Sequence, residues 1–415
     1  MEFVGREKEL NKLKEKYNSN ESELIVIYGR RRVGKTSLIK KSLSDNSIYF
    51  LLTQESPLIN LKDFKEVFSQ KNELLGKIEA KSWKEYFKAV KNILPENFTI
   101  VLDEFPYLID KDPSILSQFQ KIYDEYLSPK NINLVLCGSS ISIMKELQEY
   151  TSPLYGRRSY SLNLTPFTLK ESVVFLKSSN LKLSLKKHLI TGGMPYYLEQ
   201  LKYAKSDKEL SESIFSASNI FIDEPNFLLN QSFREVSNYF SLLKIIANGK
   251  TTFNEIVQEV NLEKGSVSKY LQKLELLEYI HKTSSFFAKQ NSKKTRYVLA
   301  DNFLFFWFNV IKKDLSNMHY DLNSVFGNLF ESEVRKIYSK KYGKVKPYFN
   351  KDIEIHILVE REQNILCIEC KFNEKSKEDV VKKLQFKISH LPKKFVYVPR
   401  VINLNDLDHL IELSM

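Results

Sequence analysis

Gly29-Arg30-Arg31-Arg32-Val33-Gly34-Lys35-Thr36 restricts the possible folds of this chain more than any other segment. It matches GxxxxGK[ST], follows the apolar run Leu24 to Tyr28, and precedes the helical stretch Ser37 to Ser42. A glycine-rich turn between strand and helix aims successive backbone N–H groups at one anion, together with the positive end of the helix. Such a turn belongs at the carboxyl edge of a parallel sheet, where ligands of open α/β folds collect. The spacing therefore predicts an α/β fold with a phosphate-binding loop. Lys35 is expected to neutralise the β- and γ-phosphates of a nucleoside triphosphate, and the Thr36 hydroxyl to ligate Mg2+. Gly29, Arg30, Arg31, Arg32, Val33, Gly34 and Ser37 would form the rest of the cradle. A turn of accidental spacing would not need a strand and a helix in this order.

Two further apolar runs end in chemistry. Phe98 to Leu102 leads into Asp103-Glu104, as a Walker B segment does. Asp103 is expected to hold the Mg2+ shell and Glu104 to orient and polarise the attacking water. Asn133 to Cys137 leads into Gly138-Ser139-Ser140, where the Ser139 hydroxyl would sense the γ-phosphate or place the water. A plain serine turn is the alternative. Gly156-Arg157-Arg158 offers two cations for an arginine-finger or sensor role, from the same or a neighbouring subunit. No NKxD-type guanine-reading motif occurs, so the expected ligand pair is ATP and Mg2+.

At 415 residues the chain is too long for one core. Residues 1–160 alternate strand-like and helical stretches, the pattern of a parallel sheet covered by helices. Residues 161–230 are helical in pattern, with loop signals at Thr165-Pro166 and Gly192-Gly193-Met194-Pro195, and read as a lid. Residues 231–300 give three helical stretches and then two short strands, Tyr279 to Lys282 and Arg296 to Leu299, which suggests a winged helix. Residues 301–415 open on an aromatic helix and continue as strand, strand, helix and strand.

With 42% hydrophobic and 27% charged residues the chain should be folded throughout, and a net charge of +12 favours polyanionic partners, DNA first. The most apolar stretch, Phe303 to Ile311, is interrupted by Asn309 and is far shorter than the roughly 18 residues of a membrane helix. With charges in MEFVGREKEL where a secretory signal is apolar, the expected location is the cytoplasm. Cys137, Cys367 and Cys370 cannot build a disulfide framework. The last two lie three apart on one apolar run, so strand alternation points them to opposite faces as packed thiols.

In order, FVGREKEL, GRRRVGKTSL, IVLDEFPYL, LVLCGSS, PLYGRR and GGMPYYL resemble the archaeal ATPase family, in the STAND branch of AAA-like P-loop NTPases. The resemblance covers about the first 230 residues. It implies that Val4, Gly5 and Arg6 line the base side of the nucleotide, that Pro195 contacts adenine from the lid, and that hydrolysis switches the lid and later domains between two arrangements. YVLADNFLFFWF, FGNLFESEVRKIY, DIEIHILV and LCIECKF resemble the region often fused to these ATPases, a winged helix followed by a restriction-endonuclease-like domain.

Residues 231–300 hold eleven Lys and Arg against six acidic residues. Val267, Leu271 and Leu274 share one helical face, leaving Lys269, Gln272 and Lys273 outward on a candidate DNA-recognition helix. Lys289, Lys293, Lys294 and Arg296 would stand on the wing. A protein-interaction or self-association module is the alternative. In the last domain Glu331, Glu369 and Lys371 resemble part of a PD-(D/E)xK nuclease site. Where an aspartate is expected, however, the chain reads Glu354-Ile355-His356. An imidazole holds Mg2+ poorly, so the expectation is a degenerate nuclease domain. An ATP-regulated nuclease and a signalling switch with protein partners are the competing functions.

Overall fold

The computed structural model describes residues 3–216, 220–233, 235–289, 295–373 and 377–414. The chain divides into two compact units, Met1–Thr165 and Pro166–Met415.

The first unit is built on a five-stranded parallel sheet of β1 (Leu24–Tyr28), β2 (Ser47–Leu51), β3 (Thr99–Asp103), β4 (Asn133–Gly138) and β5 (Tyr160–Asn163), in the order β2-β3-β4-β1-β5. LIVIY, TIVLD and NLVLCG occupy the three central positions, and runs this apolar are what a sheet covered on both faces selects. β5 reads YSLN and lies at an edge with its residues half-buried or exposed, so it carries no periodic apolar signal. One face of the sheet is covered by helices Pro57–Ser69, Trp83–Val90 and Ile115–Ile122, which pack Phe64, Phe68, Trp83, Tyr86, Phe87 and Phe119 against Phe50 and Leu102. Ser56 and Ser82 cap the first two of these helices by accepting the N–H of Ile59 and Glu85. This aromatic layer fixes β2 and β3, and β3 carries the acidic pair.

The second unit begins with helices Leu169–Leu176, Leu181–Thr191, Pro195–Leu201, Asp207–Phe215 and Glu224–Ser232. Helices Val236–Ala247, Phe253–Glu259 and Lys264–Leu276 follow, then a hairpin of β6 (Ile280–Ser284) and β7 (Thr295–Leu299). The aromatic segment is the helix Asn302–Phe306 continued by a π-helical turn, Trp307–Ile311. The long helix Leu322–Lys341 then leads into β8 (Val345–Phe349), β9 (Glu354–Glu360), β10 (Ile365–Cys370), the helix Glu378–Ser389, and β11 (Tyr397–Ile402). These four strands form one mixed sheet, β11-β10-β9-β8.

Three strands therefore precede the helix Glu378–Ser389, where the sequence suggests two, and a helix, Leu407–Leu413, follows β11. The additional one, β8, contains Pro347, and its pairing with β9 is irregular between Lys346 and Tyr348. Proline is confined to edges and irregular positions because it cannot donate to the ladder, so Val345-Lys346-Pro347-Tyr348-Phe349 does not look like a strand until its edge position is known. Cys367 and Cys370 are buried free thiols on β10, as expected. No helix among the described residues is long and apolar enough to cross a membrane.

Gly29 shows how closely β5 constrains the phosphate loop. A Cβ at this position would lie 2.2 Å from the Leu164 carbonyl oxygen, in a segment held by the Leu164 N–H on the Tyr28 carbonyl at 2.7 Å. Backbone cannot give way as a side chain can. Gly29→Ala is therefore expected to lower stability by about 2 kcal/mol, read as a reduced denaturant midpoint at unchanged slope.

Candidate functional site

The loop from Gly29 to Thr36 joins β1 to the helix Lys35–Ser42, whose N-cap is Gly34 with a left-handed φ of 96°. Lys35 is buried, and its ammonium donates to the Gly29 carbonyl at 2.9 Å and the Arg30 carbonyl at 3.3 Å. Both acceptors are neutral and belong to the loop itself. Arg30, Arg31 and Arg32 are half-buried, Val33 is in the core, and Thr36 and Ser37 are exposed at the start of the helix.

Asp103 ends β3 at 1% exposure. Its Oδ2 accepts the Thr36 hydroxyl at 2.8 Å and the Tyr49 phenol at 2.7 Å, while Oδ1 accepts the Glu104 N–H at 3.0 Å. Two segments far apart in sequence thus meet on one carboxylate. Glu104 takes a left-handed φ of 56°. Its Oε2 accepts both the N–H and the hydroxyl of Ser139, at 3.1 and 2.8 Å. Ser139 follows β4, the neighbour of β3, so sheet order places it there. Its partner is the acidic residue, an assignment that a serine turn read by itself does not suggest.

Other expected residues are engaged elsewhere. The Arg157 guanidinium is bonded to both Asp124 oxygens, at 2.7 and 2.9 Å, and that of Arg158 to the Gln148 side chain. Val4 is half-buried and Gly5 buried, while Arg6 donates to the Thr165 carbonyl and pairs with Glu9 at 3.5 Å. Pro195 lies in the second unit, in the first turn of the helix Pro195–Leu201.

Just before Pro195, Gly193 lies against His188, whose Nδ1 is 2.7 Å from the Ser172 hydroxyl and whose Nε2 is 3.2 Å from Glu333 on the long helix. All three side chains are buried. Burial alone would raise the Glu333 pKa, but the adjoining His188 ring, Lys336 and Lys340 hold it down to about 2. No local spacing in the sequence links His188 to Ser172 or Glu333, so only the packing of helices brings the three together.

The helix Lys264–Leu276 buries Val267, Leu271 and Leu274 and exposes Lys269, Gln272 and Lys273, as its periodicity requires. Arg296 is not a free wing cation. It pairs with Glu354 at 2.7 Å and stacks 3.9 Å from the Phe349 ring centre, because the hairpin packs against β8. Lys293 and Lys294 lie outside the described residues.

Glu331, His356 and Glu369 do meet. Cys370 donates its N–H to His356 Nδ1 at 3.1 Å, which leaves the ring proton on Nε2, 3.0 Å from Glu369. Burial, then Lys371, Lys387 and Arg335, lower the His356 pKa to about 3, so the ring is neutral. The other Glu369 oxygen accepts from Lys387 and not from Lys371, which is exposed beyond the strand end. Glu331 is bonded to Arg335, one turn further along the same helix. Each of the three carboxylates, Glu354 included, thus already has its own cation.

The order of the parallel sheet, the phosphate loop and the acidic end of β3 define a P-loop ATPase. Residues 3–201 match the family described as the ATPase domain predominantly from Archaea. The protein MJECL04 of Methanocaldococcus jannaschii is 32% identical over 402 residues, 92% of this chain and 90% of that protein. The chain belongs to this ATPase family. Among solved structures, the Walker-type ATPase PABY2304 of Pyrococcus abyssi superposes with a TM-score of 0.56 at 21% identity, covering 74% of this chain and 96% of that one. The Aeropyrum pernix ORC2 protein, solved as ADPNP–ADP complexes, gives 0.51 at 14% identity over 76% and 96%. At these identities the two share the fold.

Burial raises the Glu331 pKa from 4.5 to about 7, against the lowering influence of Arg335. The native state therefore keeps a proton that the unfolded chain releases near 4.5, and the associated stability is lost as pH rises through 7. In Glu331→Gln nothing titrates at this position. Its stability relative to wild type should improve by up to about 3 kcal/mol from pH 5 to pH 8, measured by urea unfolding at each pH.

Proposed function

We propose that this chain binds ATP with Mg2+ and hydrolyses it, and that the cycle repositions a lid and a DNA-associated region in the second unit. The carrying observation is the Thr36–Asp103 hydrogen bond at 2.8 Å, which joins the phosphate-loop helix to the acidic strand end. A hydroxyl and a carboxylate side by side are the hard oxygen donors that fit Mg2+. When bound, the ion would supply neutralisation of charge on the β- and γ-phosphates. Lys35 exchanges two neutral carbonyls for phosphate oxygens, a stronger, charge-assisted set of bonds. The loop amides from Gly29 to Ser37 orient the triphosphate. Glu104 has Oε2 fixed by Ser139 and directs Oε1 to the attacking water, which it orients and polarises. Val4, Gly5, Arg6 and Pro195 are assigned to the base on family resemblance. Arg157 or Arg158, as cations just before β5 of the phosphate-loop sheet, serves as arginine finger or sensor, which requires Arg157 to leave Asp124 or Arg158 to leave Gln148.

We read residues 161–230 as the lid, less 161–165, which complete β5 and close the first unit, and in the second unit 231–300 as a winged helix and 301–415 as a restriction-endonuclease-like domain. The outward Lys269, Gln272 and Lys273 support phosphate contact with DNA, weak and salt-sensitive. The private cation of each carboxylate around His356 supports a nuclease-like domain that does not cleave, since a metal ion would have to compete with a lysine or arginine already paired to each one.

The reading is tested by ATPase rates with and without duplex or single-stranded DNA. Wild type should be stimulated. Glu104→Gln should retain ATP and lose turnover by about 10² or more, and Lys35→Ala should lose ATP binding in calorimetry. A rate indifferent to DNA favours a switch that assembles with protein partners. Plasmid incubated with Mg2+ or Mn2+ should remain supercoiled; nicking that disappears in Lys371→Ala would restore an ATP-regulated nuclease.

A further inference from the structure

Tyr49 belongs to none of the sequence motifs, yet its phenol donates a hydrogen bond to the Asp103 carboxylate. It lies on β2, in register with Val101 of β3, two residues before the Leu51↔Asp103 pair. From there its phenol reaches Asp103 Oδ2 at 2.7 Å, the same oxygen that accepts the Thr36 hydroxyl. On its other side the ring lies 4.8 Å from the Lys40 ammonium, one turn beyond Thr36 on the same helix. Tyr49 therefore touches both elements that have to agree in position if Thr36 and Asp103 are to act together.

We propose that Tyr49 is a positioning residue for the divalent cation of the nucleotide site, holding Asp103 Oδ2 where the Thr36 hydroxyl proton can remain on it. The inference rests on the ATPase reading above. A serine or threonine hydroxyl has one proton. If that proton is directed at Asp103, the oxygen lone pairs face away from the carboxylate and are available to a cation. The direction is secure only while Oδ2 stays in place. Oδ1 is held by the Glu104 N–H, so rotation of the carboxylate is opposed at one oxygen by backbone and at the other by the phenol. Without the phenol, Oδ2 loses a donor that is independent of the hydroxyl it is meant to orient. Burial, and then the Asp103 charge, push the phenol's pKa upward, so Tyr49 remains a donor at any working pH.

The test is binding of a fluorescent ATP analogue to the full chain, first in EDTA and then across a Mg2+ series, for wild type and Tyr49→Phe. The expected result is equal affinity in EDTA and about a tenfold higher Mg2+ concentration for half-maximal enhancement in the variant, the scale of one hydrogen bond to a charged group. Mn2+ electron paramagnetic resonance in the presence of ADP gives a second readout, with weaker Mn2+ retention expected in Tyr49→Phe. Equal Mg2+ requirements overturn the proposal. So does an affinity loss in EDTA as large as that in Mg2+, because Tyr49 would then support the loop in general. Wild-type protein that ignores the analogue under all conditions overturns the ATPase reading itself, an outcome distinct from either. If Tyr49→Phe melts well below wild type, Lys40→Met loosens the other side of the ring and should shift the Mg2+ requirement in the same direction; no shift sinks the idea.

Discussion

A carboxylate at 1% exposure is costly unless every lone pair is used, and the first unit is organised around satisfying Asp103. Its donors come from three places: the helix after the phosphate loop, the edge strand β2, and the next residue in the chain. The left-handed turn at Glu104 is part of the same arrangement. It directs the Glu104 N–H back at Asp103 while the side chain crosses to Ser139. Such a conformation costs of order 1 kcal/mol in a residue with a Cβ, and persists where surrounding contacts fix it. Here sheet order fixes it, because β3 lies between the strands that bear Tyr49 and Ser139.

The phosphate-loop cluster and the cluster around His356 differ in what their charges face. Lys35 is bonded to two neutral carbonyls of its own loop. An incoming phosphate offers a better partner, so the exchange is favourable. In the cluster around His356 the carboxylates are bonded to Lys387, Arg335 and Arg296, and the imidazole uses both nitrogens. Removing any one partner would leave a charge with a poorer environment, which makes the cluster self-sufficient. The first arrangement is open to a ligand and the second is closed upon itself.

The long helix Leu322–Lys341 gives the second unit much of its internal connection. Glu331 and Arg335 face the His356 cluster, Glu333 reaches His188 behind the Gly192-Gly193 turn, and Lys336 donates to Asn302 at 3.0 Å. Gly192 approaches that same Asn302, so the turn touches two side chains that are each bonded to this helix. Because Glu333 and Lys336, one turn apart, share one face of this helix, a shift of the helix cannot leave the turn's packing unaltered.

The central strands and the loop–helix junction were legible in the sequence, because a buried parallel strand must be apolar on both faces and a phosphate cradle needs glycines at fixed spacing. Asp103 and Glu104 were legible for the same reason, as polar residues at the end of an apolar run. The exposed face of Lys264–Leu276 followed from helical periodicity. Tertiary structure alone decided the rest. Tyr49 finds Asp103, and Ser139 finds Glu104, only through the lateral order of strands, which no local pattern encodes. Arg296 is drawn to Glu354 by the packing of a hairpin on an edge strand that proline hides from pattern reading. His188 meets Ser172 and Glu333 across helices far apart in the chain. Periodicity reports which face of an element is buried; it does not report what that face will touch.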